Sequence, residues 1–456
     1  MLLRQYIAGT PRYFWAVSNA VALPQLATGS IFGKELSALH GRSVLLAPRD
    51  QLNAALAMLE LDGVARRLVI CPPDLPSDHI RAIAAVAEIN ALVFDEGTPD
   101  PRTLGGPLLV RCGAAIEPHA DPHDLVAFDQ PTEWVLLTSG TMGPPKLVSH
   151  TVASLTAPIR PGLEAPVWGT FYDIRRYGGM QIFFRAVVGG GSLVLSSPSE
   201  PIVDHLVRLA AHGVTYMSGT PSHWWRVLMG QAANLFRPRY VRLSGETASQ
   251  SLLDNLRAAY PDSGLGHAFA STEAGVGFEV DDGLEGFSAE LVDADNPEVG
   301  IKVEDGTLRL RSRRTASRYI GKDAPALLDE DGFVDTADMV ELRAGRYYFV
   351  GRKDGVINVG GLKVHPEEIE STINRHAGVS GSLVKARKSP ITGAIVVAEV
   401  VLKEGERNEN GSRLPALERE IMELCRRDLA PYKVPAAIRF VATLPMSPAG
   451  KLLRHA

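Results

Sequence analysis

The sequence predicts an α/β fold with a large N-terminal domain and a small C-terminal α+β domain. Three observations predict it. Short apolar runs alternate with helical stretches of about ten residues over the first part of the chain, a pattern typical of mostly parallel sheets covered by helices. From about residue 285, short alternating segments separated by turn residues indicate antiparallel β structure, a small β-barrel-like part. The last hundred residues show a helix-strand-helix order.

The parallel part consists of short, continuous apolar strands between amphipathic helices. Strands are predicted at 43–47, 67–71, 91–94, 134–137, 192–195, 214–217 and 240–243, and helices at 51–61, 78–88 and 203–212. The antiparallel strands are 301–303 and 307–311. The C-terminal section has a helix at 367–376, a strand at 394–402 and a helix at 414–429.

Composition and charge exclude several classes of protein. The 456 residues give room for about three cores of ordinary size. With 45% hydrophobic and 22% charged residues, the chain should fold. Its net charge of -5 argues against a dedicated nucleic-acid binder, although a local basic patch stays open. Three widely separated cysteines favour a reducing compartment, and no run approaches the ~18 apolar residues of a membrane span. We expect a cytoplasmic protein without a membrane partner.

A ten-residue segment after the strand at 134–137 concentrates hydroxyls, glycines and one lysine. Small residues let backbone N–H groups approach a phosphate, and the lysine adds a cation. The spacing differs from GxxxxGK[ST], because Lys146 follows two prolines and precedes Leu147. Taken alone, such a cluster also fits a solvated turn. The predicted phosphate-binding residues are Thr138, Ser139, Gly140, Thr141, Gly143 and Lys146.

This segment resembles the signature loop of the adenylate-forming superfamily, which includes acyl-CoA synthetases, adenylation domains and luciferases. Five further segments are similar to that family's motifs and occur in its order: 269–273, 332–338, 351–355, 358–370 and 445–451. The resemblance implies an N-terminal AMP-binding domain at 1–353 and a mobile C-terminal domain at 354–456. It also implies ATP, Mg²⁺ and coenzyme A as cofactors.

Residue roles come from the same resemblance. Lys451 is implied as the adenylation lysine, Glu273 as the Mg²⁺ ligand, Thr272 as an α-phosphate ligand, and Lys146 as a cation on the leaving phosphates. Asp354 is the implied hinge. Further nucleotide contacts are implied at Gly245, Glu246, Thr247, Phe269, Ala270, Ser271, Asp338 and Arg352, and a thiol tunnel at Gly360 and Gly361.

The sequence departs from the family pattern at a few positions. Met142 replaces a small hydroxyl residue and Leu147 a glycine, so the loop has one donor fewer. Ala337 and Gly355 replace a usual glycine and a frequent aspartate, and we expect mild effects. Glu246 is unusual in its segment. Individually, each charged residue also fits a surface role; the ordered set favours the functional interpretation.

The sequence specifies the carboxylic acid substrate and the acceptor of its acyl group less closely than the nucleotide site. The aromatic content of the expected pocket favours an aryl or medium-chain acid, and its candidates by position are Tyr172, Arg176, Trp224, Ala268 and Gly275. We expect coenzyme A as acceptor, with a carrier-protein phosphopantetheine as the alternative. A non-catalytic nucleotide-binding homologue is a further alternative, and a homodimer stays open. A Rossmann-type dehydrogenase is excluded because no strand is followed by GxGxxG.

Overall fold

A computed structural model describes most of the chain. The described residues are 2–9, 11–98, 108–118, 130–138, 145–157, 159, 165–230, 232–353, 355–359, 361–389, 393–403, 406, 413–446 and 452. The α-helices are α1 (Gln51–Leu61), α2 (Ser77–Val86), α3 (Val152–Thr156), α4 (Tyr177–Val188), α5 (Ile202–Ala211), α6 (Pro221–Met229), α7 (Gln250–Ala259), α8 (Pro366–Asn374) and α9 (Leu414–Asp428).

The strands are mostly short. They are β1 (Tyr13–Trp15), β2 (Ala20–Ala22), β3 (Gly29–Ser30), β4 (Ser43–Leu46), β5 (Arg67–Ile70), β6 (Ala91–Phe94), β7 (Leu108–Arg111), β8 (Glu117–Pro118), β9 (Glu133–Thr138), β10 (Lys146–His150), β11 (Val167–Thr170), β12 (Ser192–Val194), β13 (Tyr216–Gly219), β14 (Tyr240–Ser244), β15 (Gly264–Ser271), β16 (Gly275–Val280), β17 (Phe287–Ser288), β18 (Val299–Glu304), β19 (Thr307–Ser312), β20 (Arg318–Ile320), β21 (Val334–Arg343), β22 (Arg346–Arg352), β23 (Ile357–Val359), β24 (Leu362–Val364), β25 (Val379–Ser389), β26 (Gly393–Leu402) and β27 (Ala437–Phe440).

Two large sheets form the N-terminal part. One has the order β16-β15-β14-β13-β11-β12-β1-β2 and the other β20-β10-β9-β5-β4-β6-β7. Their central strands are parallel, as predicted, and antiparallel strands lie at both edges of the first sheet and at the β20 edge of the second. Strands such as β4 are buried along their whole length, because helices cover both faces of a parallel sheet. Asp50 begins α1 by accepting the backbone N–H groups of Leu52 and Asn53.

The antiparallel part is a sheet of five strands in the order β17-β22-β21-β19-β18. The C-terminal part has a three-stranded sheet, β25-β26-β27, against which α8 and α9 pack. Ile369 of α8 and Ile421 of α9 are fully buried in its separate apolar core. The predicted α/β class is confirmed, whereas the C-terminal order is helix-strand-strand-helix, because β25 lies between α8 and β26. Among the described helices, none is long and apolar enough to cross a membrane.

Several loops of the chain meet at the edge formed by the carboxyl ends of parallel strands. The parallel strands β13, β14 and β15 end side by side, and ligands of open α/β sheets bind beyond the carboxyl ends of such strands. The β9–β10 hairpin of the other sheet approaches the same place, since His150 of β10 contacts the turn after β15. The predicted motif at 269–273 lies at this edge, at the end of β15.

Candidate active site

The predicted phosphate loop joins two paired strands. Thr138, the last residue of β9, pairs with Lys146, the first of β10, so both lie at the base of the loop. Residues 139–144 lie outside the described residues, and with them the predicted contacts of Ser139, Gly140, Thr141 and Gly143. These contacts therefore stay predictions.

Lys146 and Glu273 lie on either side of a tyrosine that the sequence did not single out. The Lys146 ammonium is 5.0 Å from the ring centroid of Tyr319, a cation–π geometry. The Tyr319 hydroxyl donates to Glu273 Oε1 at 3.3 Å. Burial first, then the adjacent carboxylate, raises the pKa of Tyr319, so the hydroxyl keeps its proton and orients Glu273. Tyr319 thus contacts both a cation and a carboxylate, the two kinds of group that phosphates with Mg²⁺ would require.

The turn carrying Thr272 and Glu273 is fixed from two sides. His150 Nε2 is 2.7 Å from the Thr272 carbonyl oxygen, and the Ala316 N–H donates to the Glu273 carbonyl at 2.9 Å. Since a carbonyl only accepts, Nε2 carries the proton. Burial lowers the pKa of His150 to about 4 despite this bond, so the ring is neutral at pH 7. Gly275 follows with φ +78°, and a Cβ there would lie 2.4 Å from the Arg314 carbonyl oxygen.

The residues before this turn extend along β15. The Phe269 ring stacks with those of Phe278, at 5.8 Å between centroids, and Phe349, at 5.3 Å. Ala270 pairs with Val276, and the Ser271 Oγ accepts the Ala274 N–H. These contacts fix the strand end; the predicted contact of Phe269 with adenine stays a prediction.

Glu246 connects helix α6 with Leu452, near the C-terminus. It follows Gly245, whose φ is +88°, and its Oε2 accepts the N–H of Ser222 in the first turn of α6 at 3.0 Å. Its Oε1 accepts the N–H of Leu452 at 3.1 Å, and Leu452 also pairs with Met446. Thr247 is exposed. Lys451 lies outside the described residues, but its neighbour in the chain is bonded to the end of β14.

Asp338 and Arg352 face each other across β21 and β22. They are register partners, and the Arg352 Nη1 lies 3.5 Å from Asp338 Oδ1. The preceding Ala337 has φ +58°. This left-handed conformation favours glycine, which explains why the family uses glycine there. The two charged groups that the motifs predicted as nucleotide contacts are thus adjacent.

The predicted hinge and thiol tunnel are partly described. Asp354 and Gly360 lie outside the described residues. Beside the hinge position, the Lys353 N–H donates to the Ala337 carbonyl at 2.8 Å. Gly361, with φ +88°, begins the return of the β23–β24 hairpin and donates its N–H to Asn358 Oδ1 at 2.9 Å.

The predicted acid-pocket residues lie in different environments. The Tyr172 hydroxyl donates to the Ser244 carbonyl at 2.6 Å, and Ala268 is the register partner of Ser244. Gly275 is at the start of β16, in register with Ser271. Arg176 instead forms an ion pair with Asp74. Trp224 is fully buried in the apolar core shared by α5, α6 and α7.

The sequence alone did not identify the residues whose side chains contact the predicted site residues or pair with buried charges. Tyr319 and His150 lie in ordinary strands, and only the contact between sheets reveals them. Arg242 had a visible signal, because a charge inside the apolar strand 240–243 is rare without an ionic partner. That partner is Glu279 of β16.

The site residues fit the groups that the motifs imply. Mg²⁺ is usually held by one or two carboxylates together with substrate phosphates, and Glu273 beside Lys146 meets this description. No group of three or more His, Cys, Asp or Glu able to hold a metal occurs among the described residues. A protein cage for a metal is thus absent from the described part.

Family models match most of the chain. The model described as AMP-binding enzyme matches residues 49–316, and the AMP-binding enzyme C-terminal domain matches residues 368–451. The chain belongs to the AMP-binding enzyme family. It is therefore a member of the adenylate-forming superfamily, and the resemblance of its six motifs is confirmed at the level of the family.

CoA ligases are among the relatives of this family member. The 4-coumarate–CoA ligase-like 4 of Oryza sativa subsp. japonica is 27% identical, over 83% of this chain and 68% of its own. The 2-succinylbenzoate–CoA ligase of Salmonella typhimurium is 26% identical, over 76% and 73%. The amide bond synthetase McbA from Marinactinospora thermotolerans has a similar fold, with a TM-score of 0.80, 19% identity and coverage of 99% and 97%. The anthranilate CoA ligase AuaEII, in complex with anthranoyl-AMP, has a TM-score of 0.77 and 18% identity, and the match covers 99% of this chain and 95% of that chain.

Proposed function

We propose that this enzyme uses ATP to convert an aryl or medium-chain carboxylic acid into an acyl-adenylate, and then transfers the acyl group to coenzyme A. One observation carries the proposal. The phosphate-loop lysine, the carboxylate of Glu273 and the chain position beside Lys451 converge on the ends of β14 and β15. The CoA ligase names of the relatives support the acid and the thiol acceptor.

The first step forms a mixed anhydride. A carboxylate oxygen attacks the α-phosphorus of ATP, and the bond from that phosphorus to the bridging oxygen breaks, so that pyrophosphate leaves with the electron pair. Protein groups contribute positioning and charge neutralisation in such reactions. Lys146 neutralises the leaving phosphates, Thr272 contacts the α-phosphate, and Lys451 neutralises oxygens at the reacting centre. Mg²⁺ bound through Glu273 would add charge neutralisation.

The nucleotide also needs a fixed ribose and base. Asp338 accepts hydrogen bonds from vicinal hydroxyls, which suits a ribose, and Arg352 keeps a cation beside it. Thr138, Ser139, Gly140, Thr141 and Gly143 would contact phosphates, whereas Gly245, Thr247, Phe269, Ala270 and Ser271 would contact the adenosine. His150 acts indirectly as a positioning residue, since it fixes the Thr272 carbonyl.

The second step breaks the anhydride. The thiol sulfur of coenzyme A attacks the acyl carbon, its proton is lost, and AMP leaves. We propose that residues 354–456 rotate about Asp354 between the steps, removing Lys451 and bringing Gly360 and Gly361 to the thiol path. The separate apolar core of β25, β26, α8 and α9 supports a C-terminal domain that moves as a unit.

The experiment is an acid panel. Pyrophosphate release from ATP and Mg²⁺ is measured with aryl, short, medium and long carboxylic acids, with and without coenzyme A, and products are identified by mass. We expect acid-dependent pyrophosphate release and a CoA thioester. Exchange of pyrophosphate into ATP without thioester would favour the carrier-protein acceptor, and no reaction with any acid would favour a non-catalytic homologue.

A further inference from the structure

One face of the eight-stranded sheet carries charge beneath α4. Ser218, Arg242 and Gly266 are in register across β13, β14 and β15, so their side-chain positions point to the same face. Arg185 of α4 reaches this face, because its guanidinium carbon lies 5.9 Å from the ring centroid of Trp168 on β11. The cluster therefore lies between helix and sheet.

Two guanidinium groups in this cluster share one carboxylate oxygen. Arg242 donates to Glu279 Oε1 from Nε at 3.1 Å and from Nη2 at 2.8 Å. Arg185 Nη2 donates to the same oxygen at 2.9 Å. Arg242 is only 4% exposed, so its charge is largely removed from water. Burial, and then the positive charge of Arg242, lowers the pKa of Arg185. Positive charge exceeds negative charge here.

A third arginine adds to this excess. Arg314 donates from Nη1 to the Val276 carbonyl at 2.9 Å and acts electrostatically on Glu279. The Glu279 side chain is 40% exposed, which shows that the cluster opens to solvent on one side. A small anion can therefore reach it.

Two buried donors of the cluster have no acceptor in the described part of the chain. They are Arg185 Nε and Trp168 Nε1; the Trp168 residue is 7% exposed. Buried donors in native proteins are almost always paired, and such a pair of donors beside excess positive charge favours an anionic acceptor. An oxygen-rich anion would supply the acceptors that these two donors lack.

The cluster lies next to the proposed acid site. Glu279 is the register partner of Ala268, which neighbours Ser244 at the end of β14. Arg242 lies two residues before Ser244, which corresponds to roughly 7 Å along a strand. A substrate extending from the strand end would bring its far end to the arginines.

We propose that the acid activated by this enzyme carries a second carboxylate, which binds between Arg185, Trp168 and Arg242, two residues before the end of β14. The proposal rests on the proposed function, and it names the substrate class. The first carboxylate is activated, while the second is held by charge and is not consumed. Substrate choice then depends on the charge of the distal group.

The test compares matched acids. Aryl and straight-chain acids with a distal group on spacers of different length are offered as the carboxylate, the carboxamide and the methyl compound. For the spacer that fits, we expect kcat/KM to be at least 100-fold higher for the carboxylate. Arg185→Gln should raise KM for this acid at least 30-fold and change the carboxamide less than threefold. Arg309→Gln is the control, because Arg309 is also 19% exposed and paired with carboxylates.

Two outcomes would overturn the proposal. One is a wild-type preference for the uncharged analogues at every spacer length; the other is an equal loss for charged and uncharged acids in Arg185→Gln. Calorimetric binding of the same acids without ATP separates this proposal from the proposed function. If no acid releases pyrophosphate, the proposed function fails. Charge-selective binding that Arg185→Gln abolishes would still support the second-carboxylate site. Binding without charge selectivity would overturn that site.

Discussion

Replacing Glu246 with glutamine should slow acyl-adenylate formation and leave thiol transfer almost unchanged. The carboxylate accepts one backbone N–H from Ser222 and one from Leu452. Glutamine has a single acceptor oxygen, so one of the two bonds is lost. Because the bond to Leu452 joins the C-terminal tail to the N-terminal part, its loss should depopulate the arrangement that brings Lys451 to the acid.

The size of the effect follows from the kind of bond. A hydrogen bond to a charged group contributes about 1.5–3 kcal/mol when it is buried. Glu246 is half-buried, so about 1 kcal/mol is appropriate. Since 1.4 kcal/mol corresponds to a factor of ten, the adenylation rate should fall about fivefold. Alanine, which removes both acceptors, should reduce it further.

The two half-reactions are assayed separately. Pyrophosphate exchange into ATP reports adenylation, and conversion of a supplied acyl-adenylate to thioester reports transfer. Glu285→Gln is a matched control, because Glu285 accepts a comparable N–H from Gln250 at the start of α7 without touching the tail. An equal slowing of both half-reactions by Glu246→Gln, or an unchanged exchange rate, would refute the reasoning.

Three further predictions concern Lys451, Ala337 and His150. Lys451→Ala should abolish pyrophosphate exchange and keep transfer from a supplied acyl-adenylate; loss of both would contradict domain rotation. Ala337→Gly should raise the free energy of unfolding by about 0.5 kcal/mol, since the relief of left-handed strain exceeds the added entropy of the unfolded state. As a control, Ala82→Gly at an exposed position of α2 should lower the free energy of unfolding by about 1 kcal/mol. A lower free energy of unfolding for Ala337→Gly would contradict this reasoning. The pKa of His150 is about 4 in the folded protein and about 6.5 in the unfolded chain. The neutral ring therefore contributes its full stability above pH 6.5, and this contribution is lost as the pH falls toward 4. The loss in free energy of unfolding is about 3 kcal/mol at most. His150→Gln should flatten this part of the urea-unfolding profile, and an unchanged slope would contradict the assignment.

Strong local patterns made the fold predictable. Helix α1 and strands β4, β5 and β6 have the predicted ranges within a residue, because apolar runs and an N-cap define them locally. Helix α4 was missed, since Gly178 and Gly179 in its first turn weaken the helical signal. Strand β25 was missed because three positive charges interrupt its second half.

The candidate site was predictable where the functional residues lie within short contiguous sequence motifs. Thr272, Glu273, Asp338 and Arg352 lie in such motifs, and the structure pairs the last two. The partners Tyr319 and Glu279 could not be predicted, because they are 46 and 37 residues from Glu273 and Arg242 in the chain. Only the pairing of strands in the two sheets brings these side chains together.

The most direct measurement of acid activation follows an oxygen atom. The acid is labelled with ¹⁸O in its carboxylate and converted with ATP and coenzyme A, and AMP, pyrophosphate and any inorganic phosphate are analysed by mass. If the carboxylate attacks the α-phosphorus, one ¹⁸O atom per turnover stays with AMP after the thiol takes the acyl group. Unlabelled AMP, or ¹⁸O in inorganic phosphate, would contradict the acyl-adenylate.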